Sequence, residues 1–104
     1  MIMTTEQSTF VEQIKDISTG TPAGECSSQY REGYVTMANH AALFVHKFAR
    51  GDSSIGTLID EMRDLSERGQ ALKNINDDRI RGFCACANWL DVALGSLDVN
   101  QIAA

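Results

Sequence analysis

Apolar residues recur at steps of three and four along four segments, and no segment shows the sustained alternation of a β-strand. The clearest pattern predicts a helix from Ser28 to Arg50, which Gly51 would end by accepting a left-handed backbone. Its main seam has heptad-like spacing and consists of Tyr30, Tyr34, Met37, Ala41, Phe44 and Phe48. A second stripe, formed by Ala38, Ala42, Val45 and Ala49, indicates that this helix has two neighbours.

The N-terminal segment predicts a shorter helix from about Thr5 to Ile17. Its apolar stripe consists of Phe10, Ile14 and Ile17. Two residue pairs have the spacing of a capping box, namely Thr4 with Gln7 and Thr9 with Glu12. Gly20 and Pro22 would stop the helix, and the segment 18–28 is predicted to be a flexible loop.

Two further helices follow. The third is predicted to begin after Asp52 or Ser53. Glycine is a poor helix former, so the sequence leaves open whether this helix breaks or continues at Gly69. Its seam consists of Ile55, Leu58, Met62, Leu65, Gly69 and Leu72. The fourth is predicted to start at Asn76 or Asp77. Its seam consists of Ile80, Phe83, Ala87, Leu90, Leu94 and Leu97.

The short segments between the long helices predict an all-α fold, a compact antiparallel bundle of three long helices plus a shorter N-terminal helix. The first helix would either complete a four-helix bundle or pack across one end. A chain of 104 residues fits one domain, so residues 1–104 are predicted to share a single core.

The charge balance limits the classes of partner that we expect this protein to bind. Fourteen acidic against nine basic residues give a net charge of −5, which repels phosphate backbones and disfavours direct nucleic-acid binding. A larger protein with a basic surface is the expected partner. The longest apolar run, Ala41 to Val45, is far shorter than the roughly 20 residues of a membrane span. Residues 1–10 lack the pattern of a signal peptide, so we expect a cytoplasmic protein without a membrane partner.

The chemically reactive residues do not form a known catalytic or metal-binding pattern. Cys84 and Cys86 are two apart, so on a helix their side chains diverge by roughly 200° and would not share one ion. His40 and His46 are six apart and lack a Glu-x-x-His or His-x-x-x-His partner. Cys26 has no visible activating base. We therefore expect no enzymatic activity, no cofactor and no metal.

Acidic residues cluster on the outer face of the third helix. Asp60, Asp64 and Glu67 are spaced at four and three, with Glu61 adjacent, and Asp64 has Arg68 as a local counter-charge. This strip is the first candidate for binding a basic protein surface. The alternative is an ordinary solvated helix face.

Three apolar residues have no evident place inside the bundle. Leu43 falls on the polar face of the second helix, and Trp89 and Val92 fall on a second stripe of the fourth. Exposed apolar groups of this kind mark association surfaces, which makes these residues candidates for homodimer formation. Packing of the fourth-helix pair against the first helix is the alternative.

These observations favour a non-enzymatic protein-interaction module. In size and charge the chain resembles the small acidic inhibitors that phages and mobile elements direct against host proteins, including anti-CRISPR proteins. That resemblance implies an inhibitor that blocks a larger host protein. One alternative is a protein that sequesters a small molecule or nucleotide between its helices or subunits. The stacking and anion contacts of such a site would come from Tyr30, Arg31, Tyr34, Arg79 and Trp89. Another is a structural adaptor.

Overall fold

A computed structural model describes residues 3–22, 24 and 26–97 of the chain. The secondary structure within these residues consists of four α-helices and contains no strand. The helices are α1 (Thr5–Thr19), α2 (Ser28–Ala49), α3 (Ile55–Leu72) and α4 (Asp78–Gly95). This confirms the predicted all-helical fold. The predicted single domain extends to residues 1–2 and 98–104, which lie outside the described residues.

Helices α2 and α4 form the central pair of the bundle and make its most extensive contact. Their first turns meet: the Ser27 hydroxyl donates to the Asp78 carboxylate at 3.0 Å, and Arg79 pairs with Glu32 at 2.9 Å. The two helices therefore run in the same direction. Gly33 and Gly82 lie at their closest approach, where neither helix has room for a β-carbon.

Helix α3 lies between α2 and α4 in the chain order and runs antiparallel to both of them. It packs mainly on α4. Gly69 lies buried against Ala87 in this contact. The Cys84 thiol donates to the Gly69 carbonyl oxygen at 3.1 Å. Helix α3 continues through Gly69, which decides the question that the sequence left open, because packing against α4 compensates for the poor helix propensity of glycine.

Helix α1 packs along the C-terminal halves of α2 and α4, and it runs antiparallel to both. The Ser96 hydroxyl at the end of α4 donates to the Gln13 side-chain oxygen at 3.2 Å. Phe10, Val11 and Ile14 are buried in this contact. Helix α1 therefore completes a four-helix bundle, which decides between the two arrangements that the sequence left open.

The helix ends agree with the sequence at two positions. Of the two capping boxes that the sequence offered, Thr4 and Gln7 form one, in which each side chain accepts the other residue's backbone N–H, and Thr9 lies inside the helix. Gly51 follows α2 at φ +82°, the left-handed conformation expected of a terminating glycine.

Two boundaries differ from the prediction. The N-cap of α3 is Ser54, whose hydroxyl accepts the Thr57 N–H at 3.1 Å, and neither Asp52 nor Ser53 has this role. The N-cap of α4, in contrast, is Asp77, which is one of the two residues predicted to start that helix. The first connection is shorter than the predicted loop 18–28, because α1 continues to Thr19 and α2 begins at Ser28. The predicted flexibility of this loop falls partly on residues 23 and 25, which lie outside the described residues.

One hydrophobic core joins all four helices. Its fully buried large side chains are Phe10, Ile14, Met37, Leu58, Met62, Leu65, Leu90 and Cys86. Ser66 is the one buried polar residue within the described part of the chain, and its hydroxyl lies 3.4 Å from the Asp91 carboxylate of α4. The outer faces of the helices are consequently the surfaces on which a functional site can lie.

Candidate functional site

The acidic strip of α3 lies on the solvent side of that helix. Asp60, Asp64 and Glu67 are exposed, because the opposite face, Leu58, Met62, Leu65 and Gly69, is buried in the bundle. Steps of four and three place the three carboxylates in one row that is about 10 Å long, at a rise of roughly 1.5 Å per residue. This "acidic row" (Asp60, Asp64 and Glu67) could contact several cations of one partner surface.

Two members of the acidic row already have arginine partners. Arg63 lies 3.5 Å from Asp60, and Arg68 lies 2.9 Å from Asp64. Both pairs are exposed, so each contributes only about 0–1 kcal/mol and exchanges readily for a partner's cation. Within the described residues, Glu67 has no cation within ion-pair distance of its carboxylate. The row is therefore locally acidic but partly neutralised by its own helix.

Glu61 differs from the row in its surroundings. Its side chain is half-buried, and one carboxylate oxygen is buried without a hydrogen-bond partner in the described structure. A residue one position after Asp60 is rotated by about 100° around the helix axis, which places Glu61 at the edge of the bundle. It extends the negative surface at one side but presents less of its charge to solvent than Asp60 does.

A second candidate surface lies on α4. Trp89 and Val92 remain 54% and 55% exposed, respectively, although α1 passes beside them. They line one wall of a groove of about 230 Å³, whose other lining residues are Gln13, Asp16, Ile17 and Ala93. Packing on α1 therefore covers only part of the pair. An exposed indole beside an apolar groove is a common feature of protein-binding surfaces.

Leu43 does not belong to this α4 surface. It is 62% exposed on the outer face of α2, where Asn39, His40 and Lys47 are also exposed. The structure thus separates the three residues that the sequence grouped as a self-association set. Single exposed leucines within a polar face are normal in folded proteins.

Sequence reasoning identified Trp89 and Val92 but did not assign Asn88 and Gly95 to the face around them. Ala85, Asn88, Trp89, Val92 and Gly95 together form what we call the outer face of α4. All five are at least partly exposed. The available sequence signal was the charge pattern, because Asp91 is the only charged residue between Gly82 and Gly95. Asp91 itself contacts Ser66 on the α3 side.

The thiols of α4 contact different neighbours, as the geometry of a helix predicts. Cys86 is fully buried in the core, and burial raises its pKa to about 12. Cys84 is half-buried against α3, and burial also raises its pKa. Both thiols are therefore protonated at neutral pH. No group of three metal-ligating side chains occurs within the described residues.

The side chains that a small-molecule site would need are dispersed. Arg31 lines a cleft with Cys26 near the start of α2, whereas Arg79 lines a separate cleft with Phe83. Trp89 lines the groove beside α1. Tyr34 is buried, and its pKa is raised, chiefly by that burial and further by the nearby Cys86 and Tyr30 groups. Arg31, Arg79 and Trp89 thus line three separate cavities.

No helix within the described residues is both long and apolar enough to cross a membrane. Comparison of the chain with protein-family models, curated proteins and solved structures finds no significant match. The candidate functional sites are therefore two exposed surfaces, the acidic row of α3 and the outer face of α4.

Proposed function

We propose that this protein is a non-enzymatic interaction module that binds a basic surface of a larger protein through α3. The observation that carries the proposal is the acidic row, with three exposed carboxylates aligned along one helix of a chain whose net charge is −5. A rigid helix presents these charges at fixed spacing, so a partner with matching lysines or arginines gains several contacts in one encounter. Complementary charge of this kind increases the association rate and selects the partner.

The mode of action that follows is inhibition by occlusion. Binding would cover a basic surface that the larger protein uses for another ligand, nucleic acid included. The small size and acidic charge of the chain suit this role. On the basis of these two properties we propose that it acts in the same way as phage-encoded inhibitors of host defence. The intrahelical pairs with Arg63 and Arg68 would open on binding, at the small cost expected of exposed ion pairs.

The test is capture of a partner from a bacterial lysate, followed by affinity measurement with the purified partner. The test variant carries Asp60→Lys, Asp64→Lys and Glu67→Lys. The control variant carries Glu6→Lys, Glu12→Lys and Asp16→Lys on α1, which changes the net charge equally on a different surface. We expect the α3 variant to lose affinity by about tenfold to 100-fold, since each lost contact costs roughly 0.5–1 kcal/mol and each reversed charge adds repulsion.

The control variant should bind with an affinity within about threefold of that of the unmodified chain, because it alters only the long-range electrostatic attraction to the partner. Equal losses in both variants would show that net charge alone governs capture. Unchanged affinity in the α3 variant would refute the acidic row as the binding surface.

A further inference from the structure

Helix α1 contacts the rest of the bundle as an amphipathic helix contacts a binding groove. Phe10 and Ile14 are fully buried, and Ile17 is partly buried against the same core. Steps of four and three place these side chains in one row along the helix, which is the anchor pattern of helix-in-groove recognition. The groove lies between α2 and α4, because α1 packs on both of these helices.

Both edges of α1 border open space. A cleft of about 390 Å³ lies between α1 and α2 and includes Val45 and Ala49 in its lining. The groove of about 230 Å³ beside Trp89 lies between α1 and α4. Side chains that line such spaces lack the close contacts of a packed interior. The attachment of α1 therefore depends mainly on its central row of apolar side chains.

Two polar contacts of α1 are exposed and add little to this attachment. The Lys15 ammonium lies 3.5 Å from the Glu12 carboxylate, but this ion pair is within α1 itself. The Ser96 hydroxyl of α4 donates to the Gln13 side chain, and this hydrogen bond is also exposed. Exposed polar contacts stabilise folded structures only weakly.

The other three helices share a core of their own. Among the described residues, the large side chains that are fully buried outside α1 lie on α2, α3 and α4, and they are Met37, Leu58, Met62, Leu65, Leu90 and Cys86. Residues 20–27 join α1 to α2, so α1 can leave the groove without interrupting another helix. Elements that contribute few buried side chains open at a lower free energy than the whole domain.

We propose that α1 is a detachable ligand within the chain, which opens as one unit while α2, α3 and α4 stay folded. The uncovered groove between α2 and α4 then binds an amphipathic helix of another molecule. The chemistry of that helix follows from α1, whose apolar residues Phe10, Ile14 and Ile17 the groove already fits. Opening of α1 does not depend on partner binding through α3, because α1 packs on α2 and α4.

Hydrogen exchange of the unmodified chain tests the opening. Amides of residues 10–17 should be protected at least about tenfold less than amides at the centres of α2 and α4, such as those of Met37 and Leu90. Their exchange should also share one dependence on urea concentration, which distinguishes opening of the whole helix from fraying of its end. Equal protection in all four helices, or protection that rises steadily from Thr5 inward, would overturn the proposal.

A paired substitution tests the docking of α1. Phe10→Asp with Ile14→Asp should detach the helix, because it places two carboxylates in the buried row. Trp89 is the only tryptophan in the chain, and α1 lines its groove, so its emission should shift to longer wavelength. The remaining helices should still unfold in one cooperative urea transition. Loss of that transition would contradict a core that folds without α1.

The matched control carries Thr5→Asp with Thr9→Asp. These substitutions add the same charges at the same spacing, but on the exposed face of α1. Tryptophan emission and the hydrogen-exchange protection of α1 should match those of the unmodified chain. A control variant that behaves like the detached variant would show that added charge, and not loss of the apolar row, releases the helix.

Binding in trans tests the groove as a helix-binding site. A synthetic peptide of residues 3–20 would be titrated into the detached variant to about 1 mM, since a short linker corresponds to a millimolar effective concentration. We expect the peptide to return the emission of Trp89 to that of the unmodified chain. The same peptide with Phe10→Asp and Ile14→Asp should have no effect. Absence of any response to the first peptide, or equal responses to both, would refute the site.

Discussion

Gly33 on α2 and Gly82 on α4 are reciprocal in the contact between the two helices. A β-carbon on Gly33 would overlap the carbonyl oxygen of Arg79, and a β-carbon on Gly82 would overlap that of Tyr30. Each glycine therefore lies directly against the backbone of the opposite helix. Glycine lowers helix stability by about 1 kcal/mol relative to alanine in a helix interior. The close packing of the two backbones offsets this loss of helix stability at both positions.

Alanine at either position should destabilise the protein. We expect Gly33→Ala and Gly82→Ala each to lower the free energy of unfolding by about 1–3 kcal/mol, because the obstructing atoms belong to backbone that cannot rotate away. Urea denaturation measures this. Gly95→Ala, also in α4, is the control, since its added methyl would meet open space. That variant should be neutral or more stable by up to about 1 kcal/mol. Equal stability of all three variants would contradict this account of the packing.

The contact between α3 and α4 depends on a small pair, Gly69 and Ala87. A β-carbon on Gly69 would overlap that of Ala87, so Gly69→Ala should lower the free energy of unfolding by about 1–3 kcal/mol. The double variant Gly69→Ala with Ala87→Gly conserves volume and should recover part of the loss. A double-mutant cycle by chemical denaturation measures the coupling. Additive losses would indicate that the two positions do not share one space.

The two serines before α3 should respond differently to the same substitution. Ser54→Ala removes the N-cap and should cost about 1 kcal/mol. Ser53→Ala removes a buried hydroxyl that has no hydrogen-bond partner in the described structure, so it should be neutral or stabilising. Thermal melting of both variants makes the comparison. A larger loss of stability in Ser53→Ala than in Ser54→Ala would place the N-cap at Ser53.

The buried thiol of Cys86 should make stability depend on alkaline pH. Burial raises its pKa from the ordinary 9.0 to about 12, so above pH 9 the unfolded chain releases a proton that the folded chain retains. The stabilising contribution is complete below pH 9 and is lost as the pH rises to about 12. Within this range the free energy of unfolding should fall by about 1.4 kcal/mol per pH unit.

Cys86→Ala isolates this effect, and urea denaturation between pH 8 and pH 10 measures it. The variant should be less stable at pH 8, because it leaves a cavity, but its stability should depend less on pH up to 10. Above pH 10, Tyr34 should add to the dependence in both proteins, since burial raises its pKa as well. Identical pH dependence of the two proteins below pH 10 would refute the assignment to Cys86.

The two candidate surfaces were accessible to sequence reasoning to different degrees. The acidic row follows from spacing alone, since residues separated by three and four positions share a helix face wherever the helix lies. The exposure of Trp89 did not follow, because it depends on where α1 ends along α4 and how much of the indole it covers. Likewise, the sequence could not show that Val92 borders a groove beside α1.

The sequence by itself determined the helices, the side of each that faces the core, and the two candidate capping boxes of α1. These features arise from interactions within three or four residues, so the local order of side chains specifies them. Only the tertiary structure decided the position of α1, the continuity of α3 at Gly69 and the contact of α2 with α4 at two glycines. Each of these depends on residues far apart in the chain, whose packing offsets or overrides local propensity.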